Sequence, residues 1–274
     1  MYRWSNDICL DGGIMIGNKY VTTIGPPKGF IGKAIAQLII DLKWSSFLIL
    51  YSNPKDLMEM KELLNERSLS YSLQKSGAII RQMPENTDAY HTFLEDIREL
   101  GETNIVFYSK DIDSITTFFK HAKRAKLTES RFEYVLMDLD VHLLGDFFTS
   151  EEGFECNVTS LRIIKTESPI ETGLGLTMDA VSVIGTTILS LKASGNEILT
   201  FPLLCDGGSV WNDGEKLNSA INNVFLESER SGILQFDKNY ERSKLMASGF
   251  RIMNDEFTMV SYCEVYFEIN FSPC

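Results

Sequence analysis

The chain has no apolar run of the ~20 residues that cross a bilayer. Its longest candidate, Val181 to Leu191, is broken by Ser182, Gly185, Thr186, Thr187 and Ser190. The first 25 residues lack the charged start, apolar centre and small-residue cleavage site of a signal peptide. Histidine is scarce, with three in 274 residues, and the five cysteines (Cys9, Cys156, Cys205, Cys263, Cys274) form no Cys-x-x-Cys pair. A zinc site therefore lacks both spacing and ligands. There is no Gly-x-Ser-x-Gly elbow, and His91 and His121 fall on expected helices without a nucleophile pattern beside them. Positive charge is also short: 26 Lys and Arg against 38 Asp and Glu leave a net charge of −12. Phosphate binding needs clustered cations, so nucleic acid is not an expected partner. The one basic run, Lys120 to Lys126, sits at the end of an expected helix, where cations complement the dipole.

What is present is ordinary globular composition. With 44% hydrophobic residues the chain has enough for one large domain or two lobes with real cores. Five cysteines fit either a few buried thiols or one or two disulfides with a thiol left over. From Gly29 onward, helical and strand periods alternate. Ile31, Ala34, Ile35, Leu38, Ile39 and Leu42 recur at helical spacing, and Ser46 to Tyr51 is a short apolar run that reads as a buried strand. Pro54 stands near the start of a second helix running to about Arg67. Strands follow at Ala78 to Met83, Asn104 to Tyr108 and Phe132 to Met137, with helices at Asp88 to Leu100 and Ile112 to Ala125. Repeated units of this kind imply an α/β fold with a parallel, doubly wound sheet.

After Asp140 the rhythm changes. A strand is expected at Thr159 to Ile164, then a long helix from Thr177, with Thr177 as its cap and Asp179 in its first turn. Val181, Ile184, Ile188 and Leu191 form one apolar face of it. A Gly- and Asp-rich loop carries Cys205 and Trp211, and a helix from about Glu215 to Leu226 precedes strands at Gly232 to Asp237 and Met246 to Met253.

Two patterns raise the possibility of an enzyme. Gly25-Pro-Pro-Lys-Gly29-Phe-Ile-Gly32 opens a helix, but its glycine spacing is not Gly-x-Gly and its two prolines remove two N–H donors. A dinucleotide loop needs those donors near the pyrophosphate; a helix-opening turn explains the glycines. Asp138, Asp140 and His142 alternate, so on a strand they would face one side and offer acid–base or hard-metal chemistry. A plain turn after a strand is the better account of them. No catalytic constellation emerges and no cofactor is expected. Two sequons remain, Asn157-Val-Thr159 and Asn270-Phe-Ser272; the second is followed by Pro273 and carries little weight.

Several motifs in order carry a resemblance. Lys43-Trp44 precedes a strand, Arg81-Gln-Met-Pro84 ends one, and Tyr134 to Asp140 follows the next units. Asn157-Val-Thr159 then leads into Leu161-Arg-Ile-Ile-Lys-Thr-Glu167, Met178-Asp-Ala-Val181 starts a helix, and Cys205, Trp211, Gly214 and Gly232-Ile-Leu-Gln-Phe-Asp237 come in sequence. Over roughly residues 28–252 this resembles the amino-terminal domain of a kainate-type ionotropic glutamate receptor. An AMPA-type subunit and a natriuretic-peptide-type receptor ectodomain are the alternatives within that superfamily.

The resemblance implies a two-lobed clamshell like that of periplasmic binding proteins. Residues 1–25 would be a remnant of lobe 1, 26–153 lobe 2, 154–228 a partial lobe 1, and 229–274 the return to lobe 2 and the C-terminal end. It implies a non-catalytic extracellular role in recognition and subunit assembly, pairing homo- or heteromerically through lobe surfaces. It also makes Asn157 a glycan acceptor and Cys205 a disulfide partner. Family members carry a longer first lobe, which supplies that cysteine's partner, and a ligand-binding core and channel downstream. A truncated gene product, contacting the membrane only through segments outside this sequence, is the expectation. A soluble decoy of the receptor and a soluble nucleotide- or metal-binding enzyme are the competing ones.

Overall fold

A computed structural model of the chain describes residues 21–65, 78–109, 111–150, 153–166, 168–199, 213–253 and 256–266. Five strands form the parallel part of the main sheet: β1 (Phe47–Tyr51), β2 (Ala78–Gln82), β3 (Asn104–Tyr108), β4 (Glu133–Leu136) and β5 (Asn157–Arg162). Their order is β2-β1-β3-β4-β5. The α/β, doubly wound reading therefore holds. The inner strands β1, β3, β4 and β5 alternate their side chains between two apolar cores, as a sheet covered on both faces requires. Phe47 and Ile49 pack with Phe30, Ile35, Leu38 and Ile39 of α1 (Phe30–Asp41). Leu48 and Leu50 pack on the opposite side with Leu94 and Ile97 of α4 (Tyr90–Leu100) and Phe118 and Phe119 of α5 (Ile112–Arg124). Between them in the chain lie the short helices α2 (Asp56–Glu59) and α3 (Lys61–Asn65).

Local chemistry sets the helix ends. Asp111 caps α5 by accepting from the Asp113 N–H. Two helices end on a lysine in the left-handed region, Lys43 (φ 57) after α1 and Lys126 (φ 59) after α5. In each, the next residue's N–H returns to the carbonyl five positions back, Trp44 to Ile39 and Leu127 to Ala122. That is the Schellman closure, usually reserved for glycine. Trp44, opening the stretch into β1, is buried and its indole N–H donates to Glu133 Oε2 at 2.8 Å.

The sheet is completed by β8 (Lys244–Met253), antiparallel to β5, and β9 (Glu256–Tyr266), antiparallel to β8. The strand expected from Met246 is thus β8, while β9 was not foreseen. The chain stays in this sheet past residue 153, where the sequence reading set a boundary between lobes. After α6 (Gly145–Ser150) the chain returns as β5 between β4 and β8, so it does not leave the sheet until after Arg162. The reason is that Val158 and Leu161 alternate between the same two cores as the other strands.

Beyond the sheet lies a smaller group. Helix α7 (Thr172–Ala193) packs with α8 (Asp213–Asn222) and the hairpin β6 (Leu226–Ser228)–β7 (Gly232–Leu234). Its core is small: Val183, Leu234 and Phe236, flanked by Ile24, Ile221, Val224 and Leu226. Three stretches joining the two groups lie side by side. The Thr23 N–H donates to Tyr240 O, Arg242 N–H to Thr23 O, and Lys165 N–H to Arg230 O. Only Gly232 to Leu234 of the expected Gly232–Asp237 strand is regular, because Phe236 pairs back with Arg242 instead.

Helix α7 overturns two sequence expectations. It begins at Thr172, and Thr177 lies inside it with its hydroxyl bonded back to Gly173 O at 2.8 Å. It is also 22 residues long, and an 18-residue window within it has a mean hydropathy of 1.6, enough by length and composition to cross a membrane. Counting unbroken apolar residues misses this, since Ser and Thr return their hydroxyls to the helix backbone.

Candidate functional site

In an open α/β sheet, ligands bind beyond the carboxyl ends of the strands, where the chain reverses its direction of winding. Here β2 lies on one side of β1 and β3 on the other, so the reversal falls between β1 and β3. The loops that leave these strands are polar. Ser109, buried after β3, donates from Oγ to Asp111 O and accepts from Asp111 N–H, both at 3.2 Å. Asp111 Oδ2 accepts from Ser114 Oγ at 2.7 Å. After β1, Asn53 N–H donates to the buried Asp56, and Gln82 at the end of β2 reaches Ser52 O.

After β4 comes the Asp138, Asp140, His142 series. Strand β4 ends at Leu136, so the three stand in a turn and a 3-10 helix (Val141–Leu144), not on a shared strand face. They do not converge. Asp138 accepts from the Asp140 N–H at 2.7 Å, closing its own turn. Asp140 Oδ1 accepts from Thr172 N–H at 2.7 Å and so caps α7 from a distant part of the chain. Both ring nitrogens of His142 face carbonyl oxygens, Leu139 O at 3.0 Å and Ile170 O at 2.9 Å. Both nitrogens thus lie against backbone carbonyls within the fold. Among the described residues, no group of three or more His, Cys, Asp or Glu is placed to bind a metal ion. The trio fastens β4 to α7.

The edge is nevertheless acidic. Burial pushes the Asp138 carboxyl up to about 6, and the nearby Asp140 and Asp111 push in the same direction. The Asp140 N–H bond opposes this only partly. The edge thus carries carboxylates and hydroxyls engaged in turns and helix caps, with no activated nucleophile among the described residues. The Gly25 loop adds nothing catalytic. Gly29 is left-handed (φ 80), the Phe30 N–H is taken by Pro27 O, and Lys33 N–H by Gly29 O, which makes a helix-opening turn.

The sequence reading placed Asp179 in the first turn of a helix and missed its partners. It lies in the second turn of α7, fully buried, and accepts from Ser228 Oγ at 2.6 Å, Arg230 Nε at 2.9 Å and Ser231 Oγ. Arg242, 1% exposed, donates to Ser231 Oγ and to the carbonyls of Ser231, Ile233 and Lys244. Burial lowers its guanidinium to about 10 while Asp179 holds it up. The visible signal was one carboxylate inside a helix whose other charge is Lys192 in its last turn. Nothing local in the sequence marks Arg242.

Of the other named residues, Asn157 opens β5, half-buried, with Nδ2 donating to Glu133 Oε1 at 3.3 Å. Thr159 of the same sequon is buried. Cys156 is a buried free thiol, pushed up to about 12 by burial. Cys263 falls on β9 opposite Ala247. Cys205, Trp211, Cys9, Cys274 and Asn270 lie outside the described residues.

A mostly parallel, doubly wound sheet with a polar switch-point edge, tied by three adjacent stretches to a smaller group, defines a periplasmic-binding-protein-like ligand-binding domain. The sequence model of the receptor family ligand binding region matches residues 15–248, and the chain belongs to that family. Members are ligand-binding domains of receptor type, generally non-enzymatic and generally extracellular or periplasmic. No curated protein sequence matches the chain.

Proposed function

We propose that this chain is the extracellular amino-terminal domain of a kainate-type ionotropic glutamate receptor subunit, serving recognition and subunit assembly without catalysis. The observation that carries it is the ordered motif series inside the family match over residues 15–248. The described structure gives those motifs physical work. Trp44 closes the foot of the sheet onto Glu133, and Asp179 anchors α7 to the β6–β7 hairpin. Main-sheet residues up to Arg162 and from Lys244 would be lobe 2, and the α7 group part of lobe 1. Partners are then receptor subunits of the same family, met outside the cell, with Asn157 as a glycan acceptor and Cys205 as a disulfide partner.

Co-expression with full-length kainate-type, AMPA-type and natriuretic-peptide-type receptors tests the subtype. Selective co-purification with the kainate-type subunit is expected; selective capture by another class would overturn it. A rise in melting temperature with a dinucleotide or a divalent ion would instead favour an enzyme, since a specific ligand stabilises the native state by mass action.

A further inference from the structure

His142 is 9% exposed, and its two ring nitrogens meet the same kind of group. Nδ1 lies 3.0 Å from Leu139 O, within its own turn, and Nε2 lies 2.9 Å from Ile170 O, on the stretch that enters α7. A backbone carbonyl can only accept a hydrogen bond. A neutral imidazole carries one N–H and one bare lone pair, so in either tautomer one nitrogen turns a lone pair toward a carbonyl oxygen. Only the imidazolium, with two N–H groups, donates to both. Burial makes the missing bond of the neutral ring costly. The bond to Ile170 also joins two parts of the fold. The 3-10 helix that carries His142 packs against β5, whereas Ile170 and Glu171 lead into α7. Thr172 adds two ties at the same place, its N–H to Asp140 Oδ1 and its hydroxyl to Leu139 O at 3.3 Å. Of these ties, those of His142 need an added proton to exist together.

We propose that His142 is a proton-operated clasp between the main sheet and α7: the doubly protonated ring bonds the two together, and the neutral ring releases one of its two bonds. The charged groups of the adjoining elements favour the closed form. Asp138 and Asp140 precede the ring in its turn, Asp146 follows in α6, Glu171 stands beside Ile170, and Asp111 lies across the edge after β3. The cations of those elements are Arg162 on β5 and Lys165 on the stretch beyond it. Five carboxyl groups against two cations make the edge receptive to an added positive charge. The sign follows from which state uses the second N–H. That state is the folded one, so the contribution of the ring is complete in acid and is lost as pH rises through its titration. The joint between the sheet and the α7 group is therefore firmer in acid than in base.

The clasp rests on the geometry of one ring, so it stands or falls separately from the receptor subtype. Asp138, raised to about 6, titrates close by and with the same sign, so its titration is removed first. The test uses the whole chain carrying Asp138→Asn, His91→Gln and His121→Gln, which leaves His142 as its only histidine. Nitrogen NMR of the ring then reports its protonation from about pH 5 to 9, a span that covers the ordinary titration of histidine. Hydrogen exchange, corrected for its intrinsic pH dependence, reports the first two turns of α7. Protection there is expected to rise at least about tenfold as the ring takes up its second proton, with one midpoint for both signals. Adding His142→Phe should remove the pH dependence. Should that variant fail to fold, the paired titrations decide without it. A ring that keeps one protonation state across the range, or one that titrates while α7 exchange stays constant, overturns the proposal.

Discussion

At the scale of single residues, the buried charges decide most. Asp179 is fully buried and holds Ser228, Arg230 and Ser231. Asp179→Ala leaves Arg230 and Arg242 without their shared anion, so a loss of about 3–5 kcal/mol is expected. Urea unfolding checks it; a loss below about 1 kcal/mol would show that water replaces the carboxylate without penalty. Asp138 behaves oppositely, because its folded carboxyl is raised to about 6 from an ordinary value near 4. Between those values the native state keeps a proton that the unfolded chain has released, so stability falls as pH rises from about 4 to 6. Asp138→Asn keeps the oxygen that accepts from Asp140 N–H. It should stabilise the protein by roughly 2 kcal/mol at pH 8, with the gain vanishing near pH 4. Melts at the two pH values measure it, and an equal effect at both would place the cause elsewhere.

At the scale of elements, the parallel strands and the amphipathic helices α4 and α5 were legible because each follows one period, with Asp111 capping α5 and Asn86 capping the 3-10 turn that leads into α4. The start of α7 was not, because the signal there is tertiary: Asp140, 32 residues back, supplies the cap to Thr172 N–H. Close packing also decides its course. A Cβ on Gly175 would stand 2.8 Å from Ile164 Cδ1. Gly175→Ala gains about 1 kcal/mol of helix propensity, yet the clash costs about 1–3 kcal/mol. A net loss of stability by thermal melting is therefore expected, and relieved by Ile164→Val; a plain gain would mean that α7 shifts freely on the sheet.

At the scale of the whole molecule, stability is unevenly shared. The main sheet lies between two extensive cores, whereas among the described residues the α7 group has three buried apolar residues at its centre and the Asp179 network. Amide exchange should therefore show β1, β3 and β4 opening only with global unfolding, and α7, β6 and β7 at lower free energy. Equal protection throughout would mean that the two groups unfold as one. The sequence by itself determined the α/β class, the strands β1 to β4 with their connecting helices, and the helix-opening turn at Gly29. Each follows from periodicity or from the identity of adjacent residues, which physics reads locally. The edge strand β9, the place of β5 in the sheet, the dispersal of Asp138, Asp140 and His142, and the burial of Arg242 were decided only by tertiary structure. In each case the partner lies far along the chain, and its position depends on how the sheet closes its two cores.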